Sequence, residues 1–343
     1  MPRLFNHSWK RSELLNYIGD LSQIAGIKLC DLADGTERGL RVADVRTGSG
    51  LVFSVLLDRG MDIGPASYQG MPLAWVSPTG WGHPMYYDQR GTGWLRTFGA
   101  GLLTGCGMTY LGAPDEDQGE SLGLHGRLSN LPAQRVSVGE AWLGDECSFW
   151  IEGEIRQARA FGENIRLKRR ISVGLGGNCI AIHDLVENLG VTESPLMLLY
   201  HINLGFPFLD ENSELVAEPH PVEARDAAAK PGLQDWMRFH KPTPGYAEQV
   251  FYHDLPADNN GWSSIRLVNR PRKLGLSVLF QKATFPNLVQ WKMMGQSNYV
   301  LGIEPANCRV GGRSQERSRG TLQFLQPGEK REFRVEIEVN EAE

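Results

Sequence analysis

In the stretch "LLYHINLGFP", Leu198 to Pro207, two polar side chains stand in the middle of apolar ones. Strand alternation along "PLMLLYHINLG" puts Met197, Leu199, His201 and Asn203 on one face and Leu198, Tyr200, Ile202 and Leu204 on the other. Buried polar groups cost free energy unless they find partners, so this pair needs either partners in the core or a site to serve. Further along, "NYVLGIEPAN" sets Glu304 on the face of Gly302 and Val300, where the small Gly302 leaves space for a ligand or another backbone. Upstream of it, "NLVQWKMM" places Gln290 and Lys292 on one face and Trp291 on the other. A fourth contribution comes from "SLGLHGRLSNLP", in which Gly126 lets the chain turn sharply and present His125 from a loop. Carboxylate and imidazole groups around one pocket can take and deliver protons. His125, His201 and Glu304 are equally proper ligands for zinc or manganese, but close-spaced pairs such as H-x-H are lacking.

Other candidates are less specific. "FGAGLLTGCGMTYLGAP" is Gly-rich and contains Thr104, yet neither G-x-x-x-x-G-K-[ST] nor a full G-x-G-x-x-G is present, so turn chemistry is preferred over a phosphate cradle. Arg59, in "LDRGMDIG", is a candidate substrate ligand or a salt-bridge partner of Asp58 or Asp62. "NCRVGGRSQERSRG" concentrates Arg309, Arg313, Arg317 and Arg319. It reads as a solvated loop with Glu316 as local partner, the alternative being an anion clamp. Arg309, nearest Glu304, is the best placed of the four for a substrate.

Strands must position these groups. From residue 38 onward the apolar period is two, in "GLVFSVLLDRG", "NIRLKRRISVG", "CIAIHDLVENLG", "LGLSVLFQ" and others, with Gly, Asn, Asp or Pro clusters between them. "REFRVEIEVN" alternates strictly, Phe333, Val335, Ile337 and Val339 against Arg or Glu, which implies an antiparallel sheet with one wet side. No strong helix falls between strands, so the expected fold is all-β, a large antiparallel β-sandwich. Leu14, Leu15, Ile18, Leu21 and Ile24 recur at helical spacing over residues 8–26. Residues 1–37 are therefore expected to form an N-terminal amphipathic helical extension packed on a single domain of residues 38–343, and to offer a homodimer contact. Residues 208–245, rich in Pro, Asp, Glu and Ala, read as a long excursion at the mouth of a site.

The totals narrow the function. A formal net charge of -5 over 343 residues argues against nucleic acid as the main partner. No apolar run is long enough to span a membrane, and the first residues lack a signal-peptide core. Five scattered cysteines with no C-x-x-C pair fit free thiols in a reducing cytoplasm. The expectation is a cytoplasmic protein acting on a small molecule.

"HG" in a loop, then "YHINLGFP", then "GIEPAN", in that order across roughly residues 40–340, resemble the aldose 1-epimerase (galactose mutarotase-like) superfamily, and within it a poorly characterised bacterial branch. The resemblance implies a β-sandwich with a sugar site, Glu304 as general base, His201 as general acid and His125 as a second histidine lining the sugar. Asn203, Gln290, Lys292, Arg59, Thr104 and Arg309 are then candidates for substrate binding. It implies interconversion of sugar anomers with neither metal nor organic cofactor. Alternatives are an isomerase or C-epimerase acting at carbon, which often adds a metal, and a non-catalytic sugar-binding protein. The Asn-Arg pair that better-known members place before the first histidine is replaced here by "LLTGCGMTY", and their sugar-binding Asp has no counterpart.

Overall fold

In the computed structural model, which describes residues 1–342, two antiparallel sheets of twelve and eight strands form a β-sandwich. The larger sheet runs, edge to edge, through Val222–Ala224, Gln249–His253, Asn287–Met294, Tyr299–Ala306, Ser194–Gly205, Leu103–Met108, Asp62–Tyr68, Leu51–Leu56, Arg41–Arg46 and Gly26–Asp31. Ser194–Gly205 is thus an interior strand, flanked by Leu103–Met108 on one side and Tyr299–Ala306 on the other. In the smaller sheet, Lys330–Glu341 lies between Cys179–Asn188 and Leu274–Gln281.

The alternation in Ser194–Gly205 divides two cores. Leu198, Tyr200, Ile202 and Leu204 pack between the sheets with Ile180, Ile182, Phe333, Val335 and Ile337. Met197 and Leu199 belong to a separate cluster on the outer face of the larger sheet, with Trp94, Phe98, Cys106, Val250 and Val289. His201 and Asn203 share that outer face, away from the inter-sheet core. The wet side expected of Lys330–Glu341 is present: Phe333, Val335, Ile337 and Val339 are buried, while Lys330, Glu332, Arg334 and Glu338 are exposed.

One ion pair lies inside the sandwich. Arg169 Nη2 donates to Asp184 Oδ2 at 2.7 Å and its Nε to Oδ1 at 3.0 Å, with both side chains fully buried. Tyr200, next to His201, donates its hydroxyl to the same Asp184 carboxylate, and Arg169 Nη1 donates to the Gly60 carbonyl at 2.9 Å. Nearby, Asp62 accepts from the Gly105 amide at 2.7 Å, and burial pushes its carboxyl up to about 7 despite the opposing Arg169 charge. A network of charge and hydrogen bonds therefore fastens the back of the His201 strand to the opposite sheet.

The N-terminal segment departs from expectation. The helix anticipated over residues 8–26 is a single turn, Arg11–Leu14, followed by a 3₁₀ turn, Leu21–Gln23, and the edge strand Gly26–Asp31. Gly19 weakens a continuing helix by about 1 kcal/mol relative to Ala, and the Asp20 carboxylate caps the Ser22 amide at 2.7 Å, starting a new turn instead. Leu14 and Ile18 still bury into the inter-sheet core, while Leu15 and Tyr17 are exposed. Because Gly26–Asp31 pairs with Arg41–Arg46, residues 1–37 contribute to the sandwich itself rather than only packing on it.

Candidate active site

Glu304 and His201 lie on neighbouring strands and meet at the floor of a cavity of about 800 Å³. Glu304 Oε1 is 3.2 Å from His201 Nε2, off the line of a hydrogen bond, so Oε1 has no hydrogen-bond partner in the protein. His201 Nδ1 is equally unpartnered. Gly302 is small for a reason the sequence left open. A Cβ there would sit 2.3 Å from Glu304 Oε1 and 3.0 Å from the Trp291 Cβ, so the missing side chain makes room for the carboxylate itself.

His125 closes the floor from a loop. Its φ of 55° and the 76° of Gly126 form a left-handed turn, pinned to the Leu103–Met108 strand by the Gly107 amide, which donates to the His125 carbonyl at 2.8 Å. A Cβ on Gly126 would lie 2.5 Å from the Gly107 Cα, so glycine is required for this close approach. The segment considered as a phosphate cradle is thus the seat of the His125 loop. The His125 and His201 rings meet edge to face at 6.1 Å between centroids, and His125 Nδ1 has no partner.

The walls are aromatic. Phe98 and Trp291 stand 5.4 Å and 5.5 Å from the His201 ring, Trp94 lies 4.8 Å from His125 and stacks on Phe98, and Trp75 packs against Trp291. From the sequence Trp291 was placed only as lying opposite Gln290 and Lys292, and Trp75, Trp94 and Phe98 were not singled out. The available signal was the density of Trp, Tyr and Phe in the Gly- and Pro-rich residues 75–98. Around the mouth, Glu223, Arg225, Asp226 and Glu248 come from the excursion after the His201 strand and the residues just beyond it, while Arg309 and Arg319 come from the segment after Glu304.

Several candidates lie elsewhere. Gln290 and Lys292 point to the side of the sheet opposite the cavity. Gln290 pairs with His253 at 3.0 Å and donates to the Trp236 carbonyl, and Lys292 Nζ donates to the Asp235 carbonyl at 2.8 Å. Trp291, between them, takes the cavity face, opposite Gly302 on the next strand. Thr104 is buried against the Ala100 carbonyl. Asn203 does not line the cavity; its Nδ2 donates to the carbonyls of Gly101 and His201 at 3.1 and 2.8 Å, fixing the backbone that carries the histidine. Arg59 forms no salt bridge with Asp58, which pairs with Arg41. Its guanidinium, fully buried, donates to the Gly82 and Thr97 carbonyls at 2.6 Å each and braces the aromatic wall. Arg309 does line the cavity, already held by Glu223 in a bidentate pair. The arginine-rich segment is not a loop throughout: Arg313–Arg319 is a helix, in which Arg313 and Arg317 both bind Asp117.

Burial governs the floor's protonation. It pushes the Glu304 carboxyl well above its ordinary value, reinforced by Glu248 and opposed by Arg225. It pushes His201 down to about 3, reinforced by His125 and opposed by Asn203, and His125 down to about 4. Burial therefore favours the neutral form of each group on the empty floor, carboxyl and imidazoles alike. Among the described residues no group of three His, Cys, Asp or Glu has the geometry to hold a metal ion.

The model of a family described as a domain of unknown function (DUF4432) matches residues 37–339. Solved structures with the same fold include a protein of Klebsiella pneumoniae provisionally named an aldose 1-epimerase. It is 26% identical, aligned over 91% of this chain and 83% of that one with a TM-score of 0.87. A galactose mutarotase-like protein from Clostridium acetobutylicum, 14% identical, aligns over 93% of this chain and 100% of its own with a TM-score of 0.62. No curated protein sequence matches the chain.

Proposed function

Since the chain belongs to the DUF4432 family and has the galactose mutarotase-like fold, we propose that it is an aldose 1-epimerase, interconverting the α and β anomers of a sugar. The observation that carries this reading is the Glu304–His201 pair, 3.2 Å apart with unpartnered polar atoms on the floor of an aromatic cavity. Opening a cyclic hemiacetal removes a proton from the anomeric hydroxyl and adds one to the ring oxygen. The aldehyde turns about its C1–C2 bond and closes from the other face with the transfers reversed. Burial favours the protonated Glu304 carboxyl, which carries the one proton this needs. Sugar hydroxyls donating to Glu304 lower the carboxyl's hold on it, and transfer to His201 leaves carboxylate as base and imidazolium as acid. His125, neutral, is placed to hydrogen-bond a sugar hydroxyl. Each proton transfer is worth about 10²–10⁴-fold.

Proton NMR in D₂O on a panel of aldoses tests the proposal. Accelerated exchange between anomeric signals is the expected result. Deuterium entering at carbon would mean an isomerase or C-epimerase instead, and binding without exchange a sugar-binding protein.

The pH profile follows from the shifts. A free histidine titrates near 6.5, but protonation of His201 and His125 in the empty enzyme requires about pH 3 and 4. The acid limb of kcat/KM, measured by polarimetry and corrected for spontaneous mutarotation, is therefore expected below about pH 5. A limb at 6.5 would show that the pair is not held neutral. Gly302→Ala is expected to displace the Glu304 carboxylate, because the new Cβ would lie 2.3 Å from Oε1. Misplacement of a reacting group by about 1 Å can cost about 10²-fold in turnover, which the same polarimetric assay would read.

A further inference from the structure

We propose that the substrate is an uncharged reducing sugar longer than one ring, of disaccharide type, with its reducing end on the Glu304–His201 floor and its second ring at the charged mouth. The orientation rests on the epimerase reading above; the size and charge rest on the cavity.

A hexose displaces about a dozen water-sized atoms, at most on the order of 360 Å³ at roughly 30 Å³ per water. The cavity holds about 800 Å³, so one ring on the floor leaves more than half of it to water. The two depths also differ in chemistry. The floor offers three polar side chains, His125, His201 and Glu304, between aromatic rings that suit the C–H faces of one pyranose. The mouth offers Glu223, Arg225, Asp226, Glu248, Arg309 and Arg319, whose flat carboxylate and guanidinium groups can accept from or donate to adjacent hydroxyls two at a time.

The mouth is balanced in charge, three guanidiniums against three carboxylates, and its arginines are already paired. Arg309 holds Glu223 at 3.0 and 2.7 Å, Arg225 holds Asp226 at 2.7 Å and Glu248 at 3.1 Å, and Arg319 reaches Glu316 at 3.5 Å. Glu248 also accepts from the Trp291 indole at 2.9 Å, and Arg309 lies over the Tyr252 ring at 4.4 Å. A phosphate or uronate on Arg309 would have to displace Glu223 from both terminal nitrogens, whereas hydroxyls can share the pair. An anion clamp built on Arg309 is thus disfavoured.

Trp75, Trp94 and Trp291 line the cavity, so quenching of tryptophan fluorescence reads binding without turnover. Titrations with glucose, galactose, cellobiose, maltose, lactose and glucose 6-phosphate test the proposal. At least one disaccharide is expected to bind about tenfold or more tightly than glucose and galactose, the gain of roughly one to two hydrogen bonds, and glucose 6-phosphate no more tightly than glucose. The variant Asn298→Ala/Gln315→Ala, which removes two exposed amides from the mouth, is expected to narrow that ratio. Monosaccharides binding as tightly as every disaccharide, a preference for the phosphorylated sugar, or no binding at all would overturn it. Tight disaccharide binding without anomer exchange would sustain this inference and sink the epimerase reading instead.

Discussion

Glu304→Gln is expected to lower the enzyme-catalysed rate of anomer exchange by about 10²–10⁴-fold while sugar binding, followed by tryptophan fluorescence, stays within a fewfold of the unsubstituted protein. The amide fills the space of the carboxyl between Gly302 and His201, and a protonated carboxyl is what burial already favours in the empty site. Folding and the resting electrostatics are therefore little changed. What the variant loses is the ability to give its proton to His201 and take another from the anomeric hydroxyl. An equal fall in binding and turnover would show instead that Glu304 only holds the sugar. Retained turnover would move the chemistry to other residues.

Arg169→Met is expected to destabilise the fold by about 3–5 kcal/mol, the usual cost of leaving one member of a buried ion pair alone. Asp184 would keep only the Tyr200 hydroxyl, in a position with no access to water. Urea unfolding should show a lower midpoint with little change in slope. Arg169→Met/Asp184→Leu should recover much of the loss, because two apolar side chains of similar volume remove the stranded charge. If the double variant is as unstable as the single one, the carbonyl contacts of Arg169 to Gly60 matter more than its charge.

Much of this was legible in the sequence, and what was not has identifiable causes. The two-residue period of Ser194–Gly205 separated the His201 face from the core face correctly, because side chains in a strand can point only two ways. The same period in Asn287–Met294 showed that Gln290 and Lys292 share a face but not which face meets the cavity. Cross-strand pairing decides that, and it seats Trp291 opposite Gly302. Arg59 and Thr104 bond to backbone carbonyls of residues far along the chain or in a turn. Carbonyls carry no residue identity, so no motif announces them. The helix anticipated over residues 8–26 had the right apolar spacing, but Gly19 and Asp20 supplied the local cost and the competing cap that break it. The order of His125, His201 and Glu304 was recoverable because each sits beside a glycine or an apolar strand that betrays its setting.

The division between floor and mouth separates two kinds of heritable change. The pair that handles protons sits on interior strands whose reverse side is locked into the opposite sheet, so substitutions on that reverse side are paid for in folding. The charged side chains of the mouth, Glu223, Arg225, Asp226, Glu248, Arg309 and Arg319, are exposed or half-buried and stand on short segments at the edge of the larger sheet and after Glu304. A lineage, or an engineer, can therefore exchange one clientele for another by rewriting those segments and leave the reaction where it is.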